Sequence, residues 1–90
     1  MELLEQFFGG YFHQDWPEDD PSWQAVVGRY RADETDVEAG RVAEEIAQLI
    51  KRYPDDDLLA AKLNQLGCYY WPGANDLYRA WLSEVADTLR

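Results

Sequence analysis

The sequence predicts an all-α fold, a compact single-domain bundle of about five helices over residues 1–90. Three observations carry that expectation. Apolar residues recur with a helical period in five stretches. Each stretch is bounded by capping residues, a proline or a glycine. No alternating run is long enough to defend as a strand, except that CYYW at 68–71 suits a short extended piece.

In the first stretch, Leu4, Phe7, Phe8, Tyr11 and Phe12 fall on one face of a helix from residue 2 to about 13. Gly9 and Gly10 interrupt it; a glycine costs on the order of 1 kcal/mol in a helix interior, so the pair marks a kink or a close backbone approach. Pro17 is expected to end this helix. The second opens at EDDPSW, with Asp20 as N-cap, Pro21 at the first helical position, and Trp23, Val26, Val27 and Tyr30 as its stripe.

Thr35, Asp36, Val37 and Glu38 read as a capping box that starts the third helix. Its stripe of Ala39, Val42, Ala43, Ile46, Leu49, Ile50 and Tyr53 is the longest clean pattern, which makes this helix the expected spine. Lys51 and Arg52 suit its negative C-terminal end, and Pro54 stops it. Asp55, Asp56 and Asp57 cap the fourth helix, with Leu59, Leu63 and Leu66 inward, Leu58 on the flank and Gly67 as a left-handed C-terminal cap. After the Pro72–Gly73 turn, Asn75 or Asp76 is the expected N-cap of a last helix carrying Tyr78, Trp81, Leu82, Val85 and Leu89.

Ninety residues make a small domain with a radius of gyration of roughly 12 Å by the usual scaling. Four Trp, six Tyr and three Phe fill so small a core with few residues. Cys68 stands alone, so neither an internal disulfide nor a cysteine-based zinc site is available, and a reducing compartment fits. No apolar run reaches the ~20 residues of a membrane span, and MELLEQFF lacks the features of a signal peptide. A cytosolic location is expected. Eight basic against eighteen acidic residues give a net charge of −10, which repels phosphate backbones and anionic lipid and favours a basic partner.

Chemistry has little to stand on. Cys68 and His13 fall on different elements, and a lone cysteine beside Tyr69 and Tyr70 reads as a small core residue. His13 with Asp15 is too sparse a set for a metal, and Asp55–Asp57 lack the spacing, glycine and terminal glutamate of a calcium loop. No catalytic residue, cofactor or metal is expected. What remains is surface: Asp15, Glu18, Asp19 and Asp20 form one acidic cluster and Asp55, Asp56 and Asp57 another, both at helix ends that a bundle can bring together. Tyr70 and Trp71 are the candidate aromatic anchors beside them, and Tyr69 is assigned to the core. Macrodipole stabilisation and solubility explain part of this acidity without any partner, so an acidic helical adaptor is the alternative reading.

The stretch FFGGYFHQDW at 7–16, an acidic loop with a helix opening at PSW, and the GCYYWPG turn before a final amphipathic helix together resemble a family of contact-dependent growth inhibition immunity proteins. The similarity extends over nearly the whole chain. It implies a small bacterial cytosolic protein that binds and neutralises the C-terminal toxin domain of a cognate effector. Such toxins are often nucleases with basic surfaces, which the negative charge of this chain would complement. Phe8, Tyr11, Phe12, His13 and Trp16 are then a structural motif holding the first helix in the core, with His13 orienting Asp15 or a loop carbonyl rather than doing chemistry.

Overall fold

The computed structural model describes residues 2–90. Its helices are α1 (Glu2–Tyr11), α2 (Trp16–Asp19), α3 (Trp23–Asp33), α4 (Asp36–Arg52), α5 (Asp56–Gln65) and α6 (Tyr78–Leu89). A 3₁₀ turn at Asn75–Leu77 leads into α6, and no strand occurs among the described residues. The radius of gyration is 12.0 Å. The all-α expectation holds, with a sixth, one-turn helix in place of what reads as loop.

The spine is α4, which buries Ala39, Val42, Ala43, Ile46 and Leu49. Its main partner is α6, which buries Tyr78, Trp81, Leu82, Val85, Ala86 and Leu89 along the same 3.6-residue period. Against this pair α1 brings Leu4, Phe7 and Phe8, with Phe12 fully buried just beyond its end. Phe12 and Trp81 meet edge to face at 5.3 Å, and Tyr70 stacks on Trp81 at 4.2 Å, so the rings lock the two chain regions into one core.

Four helix boundaries differ from the sequence reading, each for a local reason. The first helix stops at Tyr11, not 13, because the chain turns at His13 and Gln14. Pro17 begins α2 instead of ending α1, occupying the first turn where no amide is required. Ser22, not Asp20, caps α3, its Oγ accepting from the Ala25 amide at 3.2 Å. The Asp20 carboxylate is engaged elsewhere: it is nearly buried and receives Arg29 at 2.9 Å. Neither Asn75 nor Asp76 caps α6; the backbone of the 3₁₀ turn closes on itself from the Leu77 amide to Ala74, and the Asn75 amide group donates to Asp57. The Thr35 half of the capping box forms at 3.1 Å, while the Glu38 side chain turns to Arg41 at 3.3 Å.

Gly67 ends α5 as expected, at a φ of +86°, with Cys68 donating to Leu63 and Gly67 to Asn64 in a Schellman motif. Three arginines tie helix ends together. Arg79 of α6 donates to the carbonyls of Ile50, Tyr53 and Pro54 and to Asp56, satisfying orphan acceptors at the end of α4 while anchoring the start of α5. Arg31 of α3 does the same for the Thr88 and Arg90 carbonyls and for Asp36. Arg29 bridges α3 to Asp20 and lies 4.8 Å from the Tyr11 ring centre.

Candidate protein-binding face

Residues 68–71 lie between α5 and the 3₁₀ turn outside any helix, and burial alternates along them. Cys68 points in, Tyr69 out at 59 % exposure, Tyr70 in against Trp81, and Trp71 out at 60 %. The outward pair is therefore Tyr69 and Trp71. Tyr69, assigned to the core from sequence, is exposed, and Tyr70, chosen as an anchor, is half-buried and held by stacking and by the Tyr78 hydroxyl, which donates to its carbonyl at 2.7 Å.

This segment joins the two acidic clusters. At one end the Tyr69 amide donates to the Phe12 carbonyl at 2.8 Å, and the Tyr70 ring sits 5.8 Å from Trp16. There the Asp15 amide donates to His13 Nδ1 at 3.1 Å, which leaves the ring proton on Nε2, facing Asp19 Oδ2 at 3.1 Å. His13 thus orders the loop by bonding Asp15 and fixing Asp19. Asp20 is committed to Arg29. Asp15 and Glu18 are exposed, and their carboxylates have no side-chain partner among the described residues.

At the other end Trp71 meets Tyr78 at 6.0 Å, and the chain turns at Gly73 into the 3₁₀ segment beside α5. Asp55, Asp56, Asp57, Asn75 and Asp76 line an open depression of about 430 Å³. Their carboxylates differ in duty. Asp55 caps α5, accepting from the Asp57 and Leu58 amides at 2.9 and 3.0 Å. Asp56 holds Arg79, and Asp57 accepts from Asn75 at 3.0 Å. Asp76 is exposed and unpaired among the described residues. Leu58 and Leu77 add apolar surface at 60 % and 47 % exposure.

Asp76, Leu58 and Leu77 are the members that sequence reasoning did not assign to a surface. Alternation within CYYW was the available signal for Tyr69, outweighed by the general tendency of tyrosine to bury its ring. Cys68 is enclosed, and burial pushes its thiol up to about 12, so it offers no thiolate near neutral pH. Among the described residues no group of three or more His, Cys, Asp or Glu side chains is arranged to hold a metal ion. No helix of the described chain is long and apolar enough to cross a membrane.

The arrangement suits protein recognition: exposed rings for contact, flanking carboxylates for attraction, and a rigid aromatic backing. A family model described as CdiI immunity protein matches residues 1–89. The chain belongs to the CdiI immunity protein family. No curated protein and no solved structure matches it. In this CdiI family member the two stretches that carry the resemblance, FFGGYFHQDW and GCYYWPG, are in direct contact: Phe12 bonds Tyr69, Trp16 packs on Tyr70, and Gly9 lies against Gly67.

Proposed function

We propose that this CdiI immunity protein neutralises the C-terminal toxin domain of a cognate contact-dependent growth inhibition effector by covering a basic surface of that domain. The reading is supported by family membership and, above all, by one observation: a non-helical segment carrying two exposed rings, Tyr69 and Trp71, between two acidic clusters. A nuclease toxin would supply such a basic surface, since its substrate is a polyanion. Asp15, Glu18, Asp57 and Asp76 attract it over distance; Tyr69 and Trp71 hold it once docked. The protein acts in the cytoplasm of the cell it protects, as an inhibitor and not an enzyme.

Co-expression with the toxin domain tests the reading. Cells producing both should survive, and Trp71→Ala should weaken the purified complex by roughly ten- to a hundredfold through faster dissociation. Failure of the unmodified protein to rescue its cognate toxin would remove the immunity assignment.

A further inference from the structure

Residues 71–77 form a turn that is firmly braced and yet leaves apolar side chains in solvent. Gly73 takes a φ of +111°, a conformation open to glycine, and the Leu77 amide donates to the Ala74 carbonyl at 3.1 Å. The Asn75 side-chain amide ties the turn to the Asp57 carboxylate at 3.0 Å. At its base the nearly buried Tyr78 donates its hydroxyl to the Tyr70 carbonyl at 2.7 Å and meets the Trp71 ring edge to face at 6.0 Å.

Two large apolar side chains stay outside this bracing, Trp71 at 60 % and Leu77 at 47 % exposure. They belong to one surface: a Cβ on Gly73, two residues after Trp71, would stand 3.7 Å from Leu77 Cδ1. A single exposed apolar residue is ordinary, but two on one braced turn beside free carboxylates make a contact surface. Charge decides what covers it. Asp57 and Asp76 are exposed, meet no cation among the described residues, and line the depression beside the turn. A second copy of the chain would bring its own net charge of −10 against these acids, which favours a partner bearing lysine or arginine instead. The opposite end of the face is less prepared. Asp19 there is held by His13 and Asp20 by Arg29, and the rings of Trp16 and Tyr70 are half-buried.

We infer that the 71–77 turn is the energetic centre of the complex: the toxin domain sets an apolar patch against Trp71 and Leu77, with lysine or arginine side chains at its margin facing Asp57 and Asp76. Asn75 is a positioning residue, holding the turn in its binding shape so that little ordering is left to do on docking. This rests on the preceding reading that the partner is a basic toxin domain, and adds that the contact is apolar at its centre and lies at this end of the face.

Surface plasmon resonance with the purified cognate toxin domain, beside melting curves, tests the assignment. Trp71→Ala and Leu77→Ala should each speed dissociation at least about tenfold, and Tyr69→Ala less than about threefold, with all three variants keeping cooperative melts. Raising salt from about 0.05 to about 0.5 M should slow association steeply and leave the dissociation rate within about twofold. Asn75→Ala should weaken binding about fivefold in the unmodified protein and less than about twofold in the Trp71→Ala background; an undiminished effect there overturns its positioning role. A Leu77→Ala complex as long-lived as the unmodified one, or a larger loss at Tyr69 than at Trp71, overturns the inference and leaves the immunity reading standing. A free protein that dimerises until Trp71 is replaced makes the occupant a second copy, which also overturns it. A toxin that ignores the unmodified protein overturns both readings at once.

Discussion

Gly67 and Gly9 meet backbone to backbone: a Cβ on Gly67 would stand 3.1 Å from the Gly9 Cα, with no flexible side chain to yield. The positive φ of Gly67 adds conformational strain to that contact. Gly67→Ala should destabilise the fold by about 2–3 kcal/mol, combining a left-handed alanine with displaced backbone. Gly40→Ala, inside α4 and facing open space, should instead stabilise by about 0.5–1 kcal/mol. Urea denaturation of the two variants measures both signs, and equal effects would contradict the close-approach account.

Arg79 should be the most sensitive surface-reaching residue. Its guanidinium satisfies three main-chain carbonyls and Asp56 at once. Arg79→Ala is expected to cost about 2 kcal/mol, discounted for partial exposure, by stranding the last acceptors of α4. Arg79→Lys should recover less than half of this, because a point ammonium cannot span the set. Chemical denaturation midpoints check the order.

Alkaline pH should loosen the core. Burial pushes Cys68 from an ordinary 9.0 to about 12, and Tyr30 and Tyr78 from 10.0 to about 12. Each group is neutral in the fold and ionises more readily when unfolded. Its contribution is therefore complete below the unfolded value and is lost as pH rises through the folded one. The melting temperature should hold to about pH 9 and fall between there and about 12, with a shallower fall in Cys68→Ala. Iodoacetamide should label native Cys68 only at the rate of opening; rapid labelling at neutral pH would contradict the enclosed thiol.

The acidic residues should separate into two classes. Asp20→Asn should lower stability by about 1–2 kcal/mol through its bond to Arg29 while leaving toxin association nearly unchanged. Asp57→Lys with Asp76→Lys should do the reverse, slowing association and flattening its salt dependence. Stopped-flow association rates at two ionic strengths, beside melting curves, distinguish the classes.

Helix identity was legible because periodicity and caps agree: the stripe of α4 from Ala39 to Leu49 is buried as its spacing predicts, and Gly67 ends α5 as its type predicts. What sequence could not give was the destination of polar side chains. Asp20 and Asp57 look equivalent as acids near helix starts, and only the chain's path delivers Arg29 to one and Asn75 to the other. Arg79 was silent for the same reason, since its acceptors lie 23 to 29 residues earlier.

The alternation at residues 68–71 separates two burdens along a few ångströms of chain. The side chains of Cys68 and Tyr70 answer to the interior, while the rings of Tyr69 and Trp71 stay more than half exposed. Substitution at position 69 or 71 therefore changes what the surface presents one residue at a time, with folding left as a spectator.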